Sequence, residues 1–170
     1  ESRVFASDLP SPEYVGQLAA ERTVARAGAR KPPTGPAPVI FDERVSGTLI
    51  GHLLAAIDGN AVVRGGTWLR DALGQPVLPD ALSLVEDPHR PRIAASRLFD
   101  AEGLVTRRRS IVADGVLTGW TLDLTTGRKL SMPSTASASR GTTGGPFPTV
   151  GNLALTPGTA TRAELIQDIG

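Results

Sequence analysis

Two histidines, His52 and His89, are the only imidazole groups of this 170-residue chain. A catalytic metal site needs about three converging ligands, usually His, Cys or carboxylate groups. His52 has no second histidine three, four or five residues away, so its helix cannot present a two-histidine pair. His89 lies in EDPHRPR, which is typical of an exposed turn. We therefore predict no metal ligand and no catalytic residue, and we interpret His52 as a packed side chain with one hydrogen bond.

The sequence contains no motif that indicates a catalytic serine. The G-x-S-x-G pattern is absent, and no serine stands near either histidine along the chain. Folding could still bring acids or hydroxyls to His52. A stand-alone hydrolase that uses His52 is therefore an alternative hypothesis.

Composition argues against several classes of partner. The 18 basic and 17 acidic residues leave a net charge of +1, which is too small a field to hold nucleic acid by itself. Cysteine is absent, which excludes disulfides and thiolate metal sites and favours a reducing compartment. No apolar run approaches the ~18 residues of a membrane span. We expect a cytoplasmic protein with no direct nucleic-acid partner and no membrane partner.

The RRR run at residues 107–109 is predicted to lie in a strand. Alternation would then place Arg107 and Arg109 on one face and Arg108 on the other, so the three would not form one patch. We interpret them as a solvated sheet surface whose partners are among Asp100, Glu102 and Asp114.

Residues 1–36 are predicted to be a helix followed by a stiff proline-rich connector, and residues 37–170 to be the main domain. Ser11-Pro12-Glu13 is a helix start, and Asp42 is a good N-cap for a second helix that runs to about Ile57. Six apolar residues share one wide face of that second helix and predict its core side: Val45, Leu49, Ile50, Leu53, Leu54 and Ile57. Its flank carries the small residues Gly47, Gly51 and Ala55, along which a second backbone could approach, with His52 at the edge.

The rest of the chain predicts mainly strands, at residues 39–41, 82–85, 93–99, 107–113, 116–122 and 152–155. Asp114-Gly115 is a strong hairpin turn, and Thr161 with Glu164 forms a capping box for a last helix. We predict an α+β fold in which N-terminal helices pack on a mainly antiparallel β-rich region. The last helix would have barely two turns before Gly170, so we expect a larger protein to continue beyond it.

Residues 131–151 are dominated by Ser, Thr, Gly and Pro, and predict a long loop with little to bury. Long loops in compact domains are usually functional or mobile. We place a peptide or partner contact there, at Thr142 and Thr143.

Several separated runs, among them PVIFDERVSGTLIGHLLAAIDGNAVVRGG, FDAEGLVTRRRSIVADGVLTGWTLDLTTGRKL and NLALTPG, together resemble the TldD/PmbA family, known as modulators of DNA gyrase. The likeness runs from about residue 38 to residue 170 and is nearest to the PmbA (TldE) branch. It implies that the chain is a fragment, truncated at its C-terminal end, of a larger TldD/PmbA-type protein whose N-terminal α/β region and β-rich C-terminal stretch lie outside it.

The resemblance also implies a partnership. TldD-type members carry a zinc-peptidase HExxxH motif on a helix and pair with a PmbA-type subunit. Laid on that motif, this chain has Gly51, His52 and Ala56 in place of the first histidine, the glutamate and the last histidine. The family's additional cysteine ligand cannot exist here. The resemblance thus implies a non-metal-binding PmbA/TldE-like subunit of a complex that degrades or matures peptides, with zinc only in a TldD-like partner.

In that interpretation the helix surface at Gly51, His52 and Ala55 contacts peptide or partner, and the protein forms a homo- or hetero-oligomer. A different hypothesis is a regulatory binding module linked to DNA gyrase, as the family's name suggests.

Overall fold

The computed structural model describes residues 3–169. It confirms the predicted α+β class, with helices beside an antiparallel sheet of strand order β3-β2-β1-β6 and a separate two-stranded pair, β4 with β5. A short 3-10 turn, Ala6–Asp8, precedes the first helix. The helices are α1 (Pro12–Val24), α2 (Glu43–Ala56), α3 (Gly59–Arg64), α4 (Leu124–Leu130) and α5 (Arg162–Ile169). The strands are β1 (Leu84–Glu86), β2 (Arg109–Ala113), β3 (Val116–Leu117), β4 (Ala138–Ser139), β5 (Phe147–Pro148) and β6 (Leu153–Leu155).

The hairpin between β2 and β3 turns at Asp114-Gly115, as the sequence predicts. Both turn residues have positive φ, 46° at Asp114 and 79° at Gly115, which a tight two-residue hairpin requires. A Cβ on Gly115 would lie 2.5 Å from the carbonyl oxygen of Leu78. This position therefore needs glycine for its space as well as for its backbone conformation.

One hydrophobic core lies between the sheet, the C-terminal half of α2 and α3. Its buried members are Leu53, Ala56, Ile57, Val62, Leu69, Leu84, Ile111, Val112, Leu117, Trp120 and Leu122. The predicted core face of α2 is therefore right only at its C-terminal end, because Val45 and Leu49 near the start of the helix are half exposed.

The helix ends follow their local signals. Asp42 caps α2 by accepting a hydrogen bond from the backbone N–H of Arg44, and Ser11 caps α1 by accepting one from Tyr14. Thr161 and Glu164 bond reciprocally at the start of α5, which confirms the capping box. Helix α1 buries none of its residues and is joined to α2 by an ion pair between Arg22 and Glu43, at 3.0 Å.

Three predicted strands are wrong or too long. Residues 39–41 form no strand and are exposed, because no neighbouring strand offers them hydrogen bonds. Residues 93–99 form turns, and only Phe99 makes an isolated antiparallel bridge, to Val105. Strand β3 ends at Leu117, and the chain then leads into α4, which the sequence did not predict.

None of the helices within residues 3–169 is both long and apolar enough to cross a membrane.

Candidate functional site

His52 lies on the solvent side of α2 and is exposed. Within residues 3–169 its imidazole makes no hydrogen bond and no ion pair. The interpretation of His52 as a packed histidine is therefore wrong, because the face of α2 that carries it has no neighbouring element. A hydrolase that uses His52 would need an acid or hydroxyl to orient the ring, and the described residues supply none.

The small-residue flank of α2 is open. A Cβ built on Gly47 or on Gly51 would meet no described atom within 4 Å, and Ala55 is exposed. No second backbone within the described part of the chain comes close to Gly47 or Gly51, although the sequence indicated that one could. Another molecule could therefore pack closely against this flank.

Ala55 reaches a cleft of about 400 Å³ that continues from this flank. We call it the Ala55 cleft; its walls are Leu54, Ala55, Asp58, Ala61, Arg64, Thr121, Pro148, Thr149 and Val150. One wall comes from α2 and α3, and the opposite wall begins at β5. Asp58 gives the cleft a negative charge and Arg64 gives it a positive charge. A carboxylate that accepts and a guanidinium that donates suit the N–H and C=O groups of a peptide backbone.

The predicted loop at residues 131–151 contains a hairpin instead of a continuous loop. Strand β4 pairs with β5, and the N–H of Thr149 donates to the carbonyl oxygen of Ser137 at 2.7 Å. Ser137, Ala138 and Pro148 are buried, so the expectation of little to bury is wrong at the base of the hairpin. Thr142 and Thr143 lie at its exposed tip and do not line the Ala55 cleft. The structure thus brings Ala55 together with the base of this segment.

The partners predicted for the arginine run are also wrong. Asp100 is buried and accepts backbone hydrogen bonds from Glu102, Leu104 and Ala138, and Glu102 accepts one from Leu124. Arg109 pairs instead with Glu86, at 2.9 Å. The register of β1 with β2 places Arg109 opposite Glu86. The two residues are 23 positions apart, so no local sequence pattern could predict the pair.

A family model described as the PmbA/TldA metallopeptidase C-terminal domain matches residues 34–170. The chain belongs to the PmbA/TldD family. Metalloprotease PmbA of Escherichia coli O157:H7 is 48% identical over 132 residues, which are 78% of this chain and 29% of that protein. This PmbA/TldD chain thus spans less than a third of the length of that curated relative.

Two crystal structures of candidate modulators of DNA gyrase share the fold of this PmbA/TldD chain. The protein from Bacteroides thetaiotaomicron is 26% identical with a TM-score of 0.84, over 98% of this chain and 36% of its own. The protein from Thermotoga maritima is 30% identical with a TM-score of 0.83, over 96% of this chain and 37% of its own. The predicted family is confirmed, and this chain matches only a part of each of these longer proteins.

The family's metallopeptidase name raises the question of whether this chain's donors fit a metal. Among residues 3–169, no three His, Cys, Asp or Glu side chains converge in a way that could hold one. His52 is isolated on α2, and the Nε2 atom of His89 is hydrogen-bonded to the hydroxyl of Thr106 at 3.1 Å. The donor set of the described residues does not fit a catalytic zinc ion.

Proposed function

We propose that this chain is part of a PmbA/TldE-like subunit that holds no catalytic metal and completes a metallopeptidase complex with a TldD-like subunit. The complex degrades or matures peptides in the cytoplasm, and its zinc is held by the TldD-like partner. The observation that carries the proposal is the open small-residue flank of α2, at the place where the resemblance puts the peptidase motif. Gly51 and Ala56 stand at the two histidine positions of that motif, and His52 between them is part of no group of three possible metal ligands among the described residues.

The flank suits a docking role because small residues let two backbones approach closely. A Cβ on Gly51 would meet no atom of residues 3–169 within 4 Å, so the space beside it is left for a partner. Half-exposed Val45 and Leu49 on the same helix add apolar surface that a partner would cover. The Ala55 cleft then lies beside the interface, where a peptide could contact both subunits, and Thr142 and Thr143 reach outward from the hairpin tip.

Co-purification with a TldD-like subunit tests the proposal. We expect a stable complex by size-exclusion chromatography, peptidase activity only in the mixture, and no stoichiometric zinc in this subunit by mass spectrometry. Gly51→Leu should abolish assembly by filling the flank. Gly16→Leu is the matched control, because Gly16 is an open helical glycine on α1 and should leave assembly unchanged.

Stoichiometric zinc in this subunit alone, or peptide hydrolysis by it alone that His52→Ala removes, would overturn the proposal. Assembly with DNA gyrase in place of a TldD-like subunit would favour the regulatory alternative.

A further inference from the structure

A second cleft, of about 600 Å³, is lined by Arg107, Arg108 and Arg109 together. Only Arg109 belongs to β2. Arg108 also lines a neighbouring cleft together with Asp87, which Arg107 and Arg109 do not line, so the run is divided in part, as predicted. The remaining walls of this arginine cleft are Leu104, Val105, Ser134, Thr135 and Ala136. None of these lining residues is acidic, so the charged groups that line the cleft are all positive.

Two of the three guanidinium groups are exposed, so a ligand can reach them. Arg109 is only 17% exposed and is neutralised by Glu86. Arg108 is 67% exposed and makes a weak surface ion pair with Asp87, whose carboxylate oxygen lies 3.9 Å from its Nε. Arg107 is exposed and has no hydrogen bond or ion pair within the described part of the chain. Arg107 and Arg108 therefore supply the available charge.

The hydroxyl groups of the cleft are already used. Ser134 donates to the carbonyl oxygen of Leu122 and accepts from the N–H of Ala136. Thr135 exchanges hydrogen bonds with the backbone of the same Leu122. Recognition in this cleft therefore depends on the arginines, which favours an anionic ligand.

One end of the arginine cleft is apolar. Val105 lines it, and Phe99 is opposite Val105 in an antiparallel bridge, which places their side chains on the same face. Their exposed fractions are 68% and 65%. An exposed apolar pair beside two exposed cations fits a ligand that carries both carboxylates and apolar groups.

We propose that the arginine cleft binds an extended acidic segment of a peptide. Its Asp or Glu side chains pair with Arg107 and Arg108, and a neighbouring apolar side chain packs on Val105 and Phe99. This inference deepens the proposed function, on whose peptide reaction it rests, by naming the class of substrate. Guanidinium groups on successive residues of an open cleft suit carboxylates spread along a chain. Two cations beside an apolar wall are too few for nucleic acid, whose affinity depends on many phosphate contacts.

Fluorescence anisotropy with a labelled peptide of Glu-Val-Ser repeats tests the proposal on the 170-residue chain. We expect the Arg107→Gln, Arg108→Gln double variant to raise the Kd about tenfold, through the loss of two charge-assisted contacts. The Arg30→Gln, Lys31→Gln double variant is the matched control, because it removes the same charge from exposed neighbouring residues of the connector. It should leave the Kd within about twofold, because neither residue lines the arginine cleft. Val105→Asp should weaken binding by placing a carboxylate in the cleft, and circular dichroism confirms that each variant is folded.

The probes separate this ligand from others. A Gln-Val-Ser peptide should bind weakly, and amidation of the C-terminus of the acidic peptide should change nothing. Equal affinity of the double variant and the unchanged chain, equal affinity for the Gln peptide, dependence on a free C-terminus, or tighter binding of oligothymidine would each overturn the proposal.

Assembly with a TldD-like subunit is measured separately, and the Arg107→Gln, Arg108→Gln variant should assemble normally. If the double variant loses peptide binding and still assembles, the result supports peptide binding by the arginine cleft. If the unchanged chain does not assemble with a TldD-like subunit, the proposed function is wrong, whatever the peptide measurements show.

Discussion

Glu86 and Arg109 face each other as register partners across β1 and β2, and their side chains form a buried ion pair at 2.9 Å. The second carboxylate oxygen of Glu86 accepts a hydrogen bond from the N–H of Gly151, at 2.5 Å. Arg109 also donates to the carbonyl oxygen of Trp120 and to the hydroxyl of Thr121. The pair therefore joins the sheet to Thr121, a wall residue of the Ala55 cleft, and to the segment that follows β5.

Arg109→Met should lower the free energy of unfolding by ~3–5 kcal/mol, because it leaves the carboxylate of Glu86 buried without its partner. Urea denaturation measures the loss. Arg108→Met is the matched control, since it makes the same change in the next residue, whose side chain is exposed, and should cost little. Equal losses at the two positions would mean that the pair does not hold the segments together. Adding Glu86→Leu to Arg109→Met should recover part of the loss.

Substitution by alanine should change the stability of the chain in opposite directions at Gly51 and at Gly59. A Cβ on Gly51 meets open space, so Gly51→Ala should stabilise the chain by ~0.5–1 kcal/mol through helix propensity. A Cβ on Gly59 would lie 2.7 Å from the hydroxyl oxygen of Thr126 and 2.9 Å from a methyl group of Leu122. Gly59→Ala should therefore destabilise the chain by ~1–3 kcal/mol, through forced separation of α3 and α4. Thermal denaturation of both variants gives the signs, and destabilisation by Gly51→Ala would mean that the flank is not open.

The features that the sequence predicted correctly are those whose causes act within a few residues. The N-cap at Asp42, the turn at Asp114-Gly115 and the capping box at Thr161 each depend on neighbours along the chain. The features it missed depend on distant segments. Arg109 finds Glu86 only through the register of β1 with β2.

The candidate site divides in the same way. The small flank at Gly51 and Ala55 was recognisable from residue spacing, and the family resemblance gave it a place in a motif. The exposure of His52 was not predictable, because the spacing of residues places it at the edge of the apolar face and does not show whether another element covers that edge. The Ala55 cleft could not be predicted either, since its opposite wall comes from residues about ninety positions later, after the hairpin of β4 and β5.

Arg44 should control the ionisation of Asp42. Its side-chain hydrogen bond, and then the bond from its backbone N–H, lower the pKa of Asp42 from the usual 3.8 to about 2. Because the pKa is lower in the folded chain, the cap contributes fully above pH 3.8 and loses its contribution as the pH falls towards about 2. Arg44→Ala should move the pKa of Asp42 back towards 3.8, as followed by the carboxyl carbon shift in an NMR titration. Lys31→Ala removes a cation that is not among the groups that lower the pKa of Asp42, and it should leave that pKa unchanged.

Asp123 caps α4 inside the protein, where water cannot replace it. Its carboxylate accepts hydrogen bonds from the N–H of Thr126 at 2.7 Å and from the hydroxyl of Thr126 at 2.6 Å, and both residues are buried. Asp123→Ala should cost ~2–4 kcal/mol, the sum of a lost N-cap and of donors left unsatisfied. Asp58→Ala is the comparison, because Asp58 caps α3 in a partly exposed position and should cost only ~1 kcal/mol. If urea denaturation gave equal costs for the two caps, burial would not strengthen the capping of α4. Native-state hydrogen exchange should show the loss at the amides of α4 and of α3, which packs against α4 at Gly59.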